Sequence, residues 1–260
     1  MTAYEETTQP EQIRNRPARD RRTLTPLSLV QSLLIDVDDT VVTALGDQGR
    51  REDGQFNTAS LFNVLQSAAV HAGKLSAEET ERRIQAVKDR LRWWDWGDFL
   101  QALDLDAREF WEYAYRIERQ FIGATGPEVP QALRRLRQAG FRLYAASNNP
   151  DSGIRHKLRL AGITPPEGPE SLFSGLLAVS RLKAMKWEPE YWTRALSHIR
   201  HEPHEVAVVG DNLHDDFAVP HSVGINYSFI LVREPKPLPR NQDGVLFVRS
   251  FDEVAEVILS

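Results

Sequence analysis

Cysteine and long apolar runs are both absent from this 260-residue chain, and each absence excludes a class of protein. Without cysteine the chain cannot form a disulfide, a thiolate metal site or a cysteine nucleophile. No run approaches the roughly 20 apolar residues that a membrane-spanning helix requires. The hydrophobic share of 41% and the charged share of 27% are typical of a soluble globular protein, and we predict a cytoplasmic one.

An excess of positive charge is also lacking, because the formal net charge is -5. Such a chain has no general attraction for nucleic acid or for an anionic membrane. Arg21 and Arg22 resemble the start of an export signal, but residues 23 to 32 contain Pro26 and several hydroxyls instead of an apolar core. We therefore predict no export and no membrane contact.

Residues 1 to 27 are polar and show no apolar periodicity, which is typical of a disordered tail. Arginines make the second half of this tail basic. A charge run of this kind is usually a solvated segment. If the chain contacts nucleic acid at all, we expect the contact in this tail.

Over the rest of the chain, short apolar runs alternate with helical patterns. The first run contains Leu33, Leu34 and Ile35, which is typical of a strand buried on both faces. Strands that alternate with helices predict an α/β fold, with a Rossmann-like parallel sheet sandwiched by helices. The predicted strands are 29–37, 141–146, 206–209, 225–233 and 245–248, and the predicted core helices are 129–139, 152–160, 190–200 and 251–259.

Residues 46–126 interrupt this alternation, since they show three helical patterns, at 58–72, 76–94 and 106–121, and no convincing strand. We predict an all-helical cap domain there, inserted after the first strand. The core domain then consists of residues 28–45 and 127–260. Parallel sheets bind ligands at the carboxyl ends of their strands, so an insertion rooted at that edge can cover a site.

Compact polar groups follow three of the predicted strands. They are Asp36, Asp38 and Thr40 after the first strand, Ser147 and Asn148 after the second, and Asp211, Asp215 and Asp216 after the third. Because the carboxyl ends of parallel strands share one edge, we expect these groups to converge. Several carboxylates in one place need a counter-charge, and oxygen ligands favour Mg²⁺.

The order of these motifs resembles that of the haloacid dehalogenase superfamily. The chain has a strand with Asp-x-Asp-x-Thr, a strand with Ser-Asn, a lysine, and a strand with Gly-Asp-x-x-x-x-Asp, over residues 29 to 234. The sequence is most similar to the phosphatases of the superfamily that carry a helical cap after the first motif. The resemblance implies a Mg²⁺-dependent phosphatase that hydrolyses a small phosphorylated metabolite through an aspartyl-phosphate intermediate.

The resemblance also assigns roles within the first two motifs. Asp36 would be the nucleophile, and Asp38 would protonate the leaving oxygen and then deprotonate the attacking water. The Asp38 backbone carbonyl would face the metal, and Thr40 would orient Asp38 or brace the loop. Ser147 and Asn148 would bind the transferring phosphoryl group.

The third motif requires a lysine that neutralises both the nucleophile and the phosphate. Lys186 fits best, because Pro189 suits the first turn of a helix and places Lys186 in the loop before it. The family usually has proline directly after this lysine, whereas Trp187 stands there in this sequence. Lys183 therefore remains the alternative.

In the fourth motif, Asp211 would be a direct metal ligand. The spacing to the second acid of the family indicates Asp216, which would bind the ion directly or through water, and Asp215 is the alternative. Asp38 also favours one branch of the superfamily. Dehalogenases lack an acid two residues after the nucleophile, because a halide leaving group needs no proton. An alkoxide does need one, so we predict a phosphoric monoester hydrolase.

Aromatic residues cluster in the predicted cap. They are Trp93, Trp94, Trp96, Phe99, Phe110, Trp111, Tyr113 and Tyr115. Such residues usually pack a core, although a ring exposed toward the sheet would form a substrate wall. Sugar phosphates, phosphoglycolate-like acids and nucleoside monophosphates are all compatible substrates. A phosphomutase acting on a sugar phosphate and a regulatory or binding protein without turnover are the alternative functions.

Overall fold

The computed structural model of the chain describes most of the core and part of the insertion. The described residues are 27–45, 58–88, 100–168, 170–233, 237–242 and 244–260. The predicted basic tail lies outside these ranges, except for its last residue. The predictions for Trp93, Trp94, Trp96 and Phe99 also lie outside them.

A six-stranded sheet forms the centre of the molecule, and all of its neighbouring strands are parallel. The strand order is β5-β4-β1-β6-β7-β8. The bounds are Ser32–Ile35 for β1, Arg142–Ser147 for β4, Gly175–Ala178 for β5, Val206–Gly210 for β6, Tyr227–Leu231 for β7 and Val245–Val248 for β8. The predicted α/β fold is confirmed, and each of the five predicted strands is present.

The edge strand β5 has no clear signal in the sequence. Its residues Gly175–Ala178 are two leucines between a glycine and an alanine, so the segment lacks the β-branched and aromatic residues typical of strands. It is a strand because it pairs with β4, where Tyr144 lies opposite Gly175 and Ser147 opposite Ala178. Tertiary pairing therefore decides its conformation.

Helices cover both faces of the sheet. The described helices of eight or more residues are α1 Thr58–Gly73, α2 Ala77–Lys88, α3 Ala107–Glu118, α4 Glu128–Gln138, α5 Asp151–Leu160, α7 Pro189–Ile199 and α9 Phe251–Leu259; α6 Val179–Leu182 and α8 Val219–Ser222 are single turns. Helix α4 shows the reason for the pattern, because its buried Val129, Ala132, Leu133 and Leu136 repeat at helical spacing.

Side chains of β1 alternate between two hydrophobic cores. Leu33 and Ile35 pack in the larger core with helices α4, α5 and α9. Leu34 packs on the opposite face against Trp192 and other residues of α7. Because β1 is buried on both faces, the residue that follows it is held at the centre of the sheet edge.

The insertion after the first strand contains helices α1, α2 and α3, which share a separate small core that includes Phe110 and Ala114. The prediction that residues 46–126 contain no strand was wrong at one place. Strand β3, Ile122–Ala124, pairs antiparallel with β2, Val42–Ala44. A three-residue strand gives almost no local pattern, and this one depends on a partner far away in the sequence.

Candidate active site

The polar groups predicted from the motifs meet at the carboxyl edge of the central strands. Asp36 directly follows β1, Ser147 ends β4, and Asp211 directly follows β6. The register brings these ends together, because Ile35 lies opposite both Ala145 and Val209. The backbone N–H of Asp36 extends the ladder by donating to the Val209 carbonyl at 2.8 Å.

Three carboxylates form a cluster at this edge. One oxygen from each of Asp36, Asp211 and Asp216 lies within 4.8 Å of the other two. Asp36 and Asp216 are buried, and Asp211 is partly exposed. Asp216 is reached from β6 through a π-helical turn, His214–Ala218, and its carboxylate accepts from the Asn212 N–H at 3.1 Å.

Lys186 places its ammonium between two of these acids. Its Nζ lies 2.5 Å from Asp36 Oδ1 and 2.6 Å from Asp216 Oδ1. Only 3% of Lys186 is exposed, so the pair is shielded from solvent. The two acids flank one cation, so the site holds one lysine beside three acidic side chains.

The backbone of Lys186 is anchored on both sides. Its N–H donates to Asn148 Oδ1 at 2.8 Å, and its carbonyl accepts from the Trp192 indole at 2.7 Å. Pro189 begins helix α7, as the sequence indicated. Lys183, the alternative lysine, is exposed and ends α6 in the left-handed conformation. Of the two lysines, the structure brings Lys186 to Asp36.

Burial and charge crowding change the proton affinities of the cluster. Burial is the main cause that raises the pKa of Asp36 to about 7, with further increases from Asp216 and Asp38 and an opposing effect of Lys186. Burial likewise raises the pKa values of Asp211 and Asp216. Burial alone would lower the pKa of Lys186, but Asp216 and Asp36 outweigh it and raise this pKa well above its ordinary value.

This cluster fits a divalent cation. Lys186 leaves an excess of negative charge on Asp36, Asp211 and Asp216, and the three carboxylates are close enough to share one ion. Hard oxygen ligands of this kind suit Mg²⁺, which usually keeps several waters and takes one or two carboxylates. The same donor set also suits other hard divalent ions.

Asp38 lies beside this cluster in a different environment. Its Oδ1 accepts from Lys157 Nζ at 2.6 Å, and its Oδ2 accepts from the side-chain amide of Asn149 at 2.5 Å. About a quarter of the side chain is exposed, at 27%. The two aspartates of the first motif therefore have separate cationic partners, Lys186 for Asp36 and Lys157 for Asp38.

The loop after β1 is braced mainly through its backbone. Arg233 donates to the carbonyls of Asp39 and Thr40, both at 2.9 Å, and Thr125 also donates to the Thr40 carbonyl. Asp39 adopts a left-handed conformation with φ of 51° and accepts from the Thr43 hydroxyl. The Thr40 hydroxyl is buried and has no hydrogen-bond partner among the described residues. Of the two roles predicted for Thr40, the hydroxyl contact to Asp38 is not present, whereas the Thr40 carbonyl takes part in bracing the loop.

Ser147 and Asn148 line the same edge at the end of β4. The Ser147 hydroxyl accepts from the backbone N–H and the side-chain amide of Asn149, at 3.2 and 2.8 Å. Asn148 bridges two motifs, since it accepts from Lys186 and its amide lies 3.4 Å from Asp215 Oδ2. Both residues lie at the carboxyl edge of the sheet, where Asp36 follows the neighbouring strand β1.

The two acids of the fourth motif point in different directions. Asp216 belongs to the carboxylate cluster, whereas Asp215 Oδ1 lies 2.8 Å from the exposed ring of His214. Gly210 permits this placement, because a Cβ at that position would lie 2.2 Å from the Asp216 Cγ. The geometry therefore favours Asp216 over Asp215 as the second acid.

Four residues of this site were not assigned from the sequence, namely Glu118, Asn149, Lys157 and Arg233. Lys157 carried a usable signal, because it falls on the same helical stripe as Ile154, Leu158 and Ala161, all of which are buried. A lysine on an apolar stripe indicates a buried cation. Glu118 carried the same kind of signal, because it follows buried Phe110 and Ala114 at four-residue intervals on α3. Arg233 follows strand β7 and gave no comparable signal.

The described aromatic residues of the insertion mainly pack. Phe110 is fully buried in the small core of the insertion. Tyr115 stacks on His156 of α5, with 4.4 Å between ring centroids, and its hydroxyl donates to Ser152 at 2.7 Å. These contacts hold helix α3 against helix α5.

A family model for haloacid dehalogenase-like hydrolases matches residues 30–221 of this chain. The chain belongs to that family. The match spans all the motifs described above, from Asp36 to Asp216. It shows a hydrolase of this family, while phosphatases and dehalogenases both occur among its structural relatives.

This haloacid dehalogenase-like hydrolase is similar in fold to several solved structures. A phosphatase of the family from Thermococcus onnurineus is 22% identical, with a TM-score of 0.57, and the alignment covers 88% of this chain and 98% of that one. The 2-haloacid dehalogenase from Pseudomonas syringae pv. Tomato DC3000 is 20% identical, with a TM-score of 0.54 and coverages of 88% and 98%. A candidate beta-phosphoglucomutase from Thermotoga maritima is 18% identical, with a TM-score of 0.52 and coverages of 88% and 99%.

No curated protein matches this hydrolase in sequence. The structural likenesses lie below 25% identity, so they show the fold and leave the reaction to be argued from the site. Within the described ranges, none of the helices combines the length and apolar character that crossing a membrane would require.

Proposed function

We propose that this hydrolase is a Mg²⁺-dependent phosphatase that cleaves a small-molecule phosphate monoester. The observation that carries the proposal is the different environment of two carboxylates in one loop. Asp36 shares Lys186 with Asp216, whereas Asp38 is paired with Lys157 and Asn149. Two neighbouring carboxyl groups in unlike environments are suited to different chemical roles.

In the first step, a carboxylate oxygen of Asp36 attacks phosphorus and the bond from phosphorus to the ester oxygen breaks. The product on the protein is an aspartyl-phosphate at Asp36. Asp38 gives its proton to the leaving oxygen, so that an alcohol departs. Lys186 offsets the negative charge that Asp36 and the phosphoryl group bring together.

In the second step, water attacks the phosphorus of the aspartyl-phosphate. Asp38, now a carboxylate, accepts a proton from this water, and the Asp36 carboxylate is released with inorganic phosphate. The proton that Asp38 gave up in the first step is thereby restored. Ser147 and Asn148 would donate hydrogen bonds to the phosphoryl oxygens during both steps.

A divalent ion would be held by Asp36, Asp211, Asp216 and the backbone carbonyl of Asp38. When bound, it supplies positive charge that neutralises the phosphoryl oxygens and aligns them with the nucleophile. This assignment is supported by the clustering of the three carboxylates, two of which contact Lys186. Lys186 then serves as the fixed cation of the site.

The proposed substrate is a small phosphorylated metabolite. Support comes from the insertion, whose helix α3 packs beside Asp38 through Tyr115 and Glu118. An element this close to the acid/base residue restricts what can reach it, which favours small esters over macromolecules. We also propose a cytoplasmic location, in keeping with the absence of cysteine.

The test is to incubate the purified chain with phosphate esters and with 2-haloacids, with and without Mg²⁺. We expect Mg²⁺-dependent release of inorganic phosphate and no release of halide. Halide release without phosphate release would instead identify a dehalogenase. An isomerised sugar phosphate without free phosphate would identify a mutase. The Asp36→Asn variant is the control for contaminating phosphatases and should be inactive.

A further inference from the structure

Lys157 is a buried cation that takes part in neither step of the proposed reaction. Only 1% of this residue is exposed, although it carries a charge on helix α5. Its ammonium lies 2.6 Å from Asp38 Oδ1, 3.0 Å from Asn149 Oδ1 and 3.4 Å from Glu118 Oε1. Three acceptors from three different segments therefore meet at one nitrogen, which has three protons to donate.

Lys157, Asn149 and Asp38 form a closed ring of hydrogen bonds. Lys157 donates to Asp38 Oδ1, the Asn149 amide donates to Asp38 Oδ2, and Lys157 also donates to Asn149 Oδ1. Both carboxylate oxygens of Asp38 are thus bound from the side of α5. The ring fixes the carboxylate in two directions, which a single contact would not do.

Glu118 brings the insertion into this network. It is the last residue of α3, and only 3% of it is exposed. Burial raises its pKa, and Lys157 opposes that increase. The neighbouring His156 is 3.5 Å from Glu118 Oε2, and burial lowers the pKa of His156 to about 4, so this ring is neutral near pH 7. Lys157 is therefore the cation that offsets the charge of Glu118.

Folding stability alone does not explain a buried lysine paired with two buried or partly buried acids. Removing a charge from water costs several kcal/mol per ion, and a well-packed apolar residue in place of a buried ion pair is often neutral or stabilising. Helix α5 already presents Ile154 and Leu158 to the core, so an apolar residue at 157 would continue the stripe. The contacts of Lys157 with Asp38 and Asn149 therefore indicate a function connected with Asp38.

We propose that Lys157 is the positioning residue of Asp38, and that Glu118 fixes Lys157 from the insertion. The proposal rests on the proposed function, because Asp38 is the proton donor and acceptor of that reaction. Lys157 does not touch the substrate. It determines where the Asp38 carboxylate lies, and Glu118 makes that position depend on the docking of α3 against the core.

The test compares two substrates that differ in their need for a proton. A nitrophenyl phosphate releases a stable anion, whereas glycerol phosphate or another alkyl phosphate releases an alkoxide that must be protonated. Asp38→Asn should reduce kcat/KM for the alkyl ester by about 100-fold or more, the usual size of general acid catalysis. Lys157→Met should reduce it by about 10-fold or more, with a much smaller loss on the nitrophenyl ester and little change in KM.

Arg159→Met is the matched control, because Arg159 lies on the same helix and pairs at the surface with Glu167. It should leave both substrates unaffected. Equal losses on the two esters in Lys157→Met would overturn the proposal, since they would indicate a general structural defect. So would a crystal structure of this variant in which Asp38 keeps its position.

If Lys157→Met does not fold, Glu118→Gln is the variant that tests the proposal. Its control is Glu112→Gln, at an exposed residue of the same helix. We expect a loss of about 3-fold or more that is confined to the alkyl ester, smaller than a full general-acid effect. An unselective loss, or none, would contradict the proposal.

If the unaltered protein hydrolyses neither ester, the proposed function has failed. If Asp38→Asn is selective and the Lys157 or Glu118 variant is not, only the present inference has failed.

Discussion

The ammonium nitrogen of Lys186 lies 2.5 Å from Oδ1 of Asp36, and both side chains are almost fully buried. This contact joins the loop after β1 to the loop before α7, which are far apart in the sequence. The same nitrogen contacts Asp216 at 2.6 Å. Lys186 is therefore the cation that keeps a crowded group of carboxylates together before any metal binds.

Replacement of Lys186 by methionine should destabilise the metal-free protein by about 3 kcal/mol, the usual effect of leaving a buried charge without its partner. Added Mg²⁺ should restore a large part of this loss, because the ion also offsets the charges of Asp36 and Asp216. Chemical denaturation with and without Mg²⁺ measures both effects.

Lys183→Met is the control for that experiment, because Lys183 is exposed at the end of α6. Its stability should stay within about 0.5 kcal/mol of the unaltered protein, as is usual for surface substitutions. A large loss in Lys183→Met together with a small one in Lys186→Met would reverse the assignment of the third-motif lysine.

Stability without metal should fall as the pH rises from about 4 to about 7. The pKa of Asp36 is raised from 3.8 to about 7 in the folded protein, so the folded state binds this proton more tightly than the unfolded chain in that range. Stability decreases with pH wherever the folded state binds more protons. Above pH 7 the contribution of Asp36 should be constant.

Mg²⁺ competes with this proton, so the stabilisation that it provides should increase between pH 5 and pH 7 and then level off. One proton released per ion bound changes the affinity by about tenfold per pH unit at most. Calorimetric titration with Mg²⁺ at several pH values measures this slope. The Asp36→Asn variant should show a smaller slope and not a zero one, because burial also raises the pKa values of Asp211 and Asp216. Asp252→Asn, at an exposed acid paired with Arg135, should keep the full slope.

Gly210→Ala should disturb the cluster from the backbone side. The added Cβ would lie 2.2 Å from Cγ of buried Asp216, so the carboxylate that contacts Lys186 must shift. We expect a loss of about 1 to 3 kcal/mol, typical of overpacking, together with weaker Mg²⁺ binding. Thermal denaturation and Mg²⁺ titration measure these changes.

Gly168→Ala provides the comparison, because a Cβ there meets no atom of the described residues within 4 Å. Its stability and Mg²⁺ affinity should match those of the unaltered protein, within the small range expected at such sites. Unchanged Mg²⁺ affinity in Gly210→Ala would show that Asp216 does not take part in metal binding.

Much of the fold was predictable because its central strands are buried on both faces. Leu33, Leu34 and Ile35 leave little alternative to a buried strand, and the helices repeat apolar residues at their own period. The short strands Gly175–Ala178 and Ile122–Ala124 were missed. Each depends on pairing with a strand that is distant in the sequence, and such pairing cannot be predicted from the local residues.

The sequence predicts those residues of the site that lie in motifs at the ends of neighbouring strands. Asp36, Ser147 and Asp211 end strands that share an edge, so their convergence follows from the fold. The ring around Asp38 does not follow, because Lys157 and Asn149 act through side-chain contacts over long sequence distances. Contacts of that kind depend on how distant segments pack, and they cannot be predicted from the periodicity of a single sequence.

The central claim is that Asp36 attacks the phosphoryl group, and trapping the covalent intermediate tests it most directly. Borohydride reduces an acyl phosphate to an alcohol, so rapid quenching during turnover followed by reduction marks the nucleophile. Peptide mass spectrometry should find the reduced side chain at Asp36, and only when Mg²⁺ and a phosphate ester are both present. Reduction at another residue, or none during active phosphate release, would contradict the proposed mechanism.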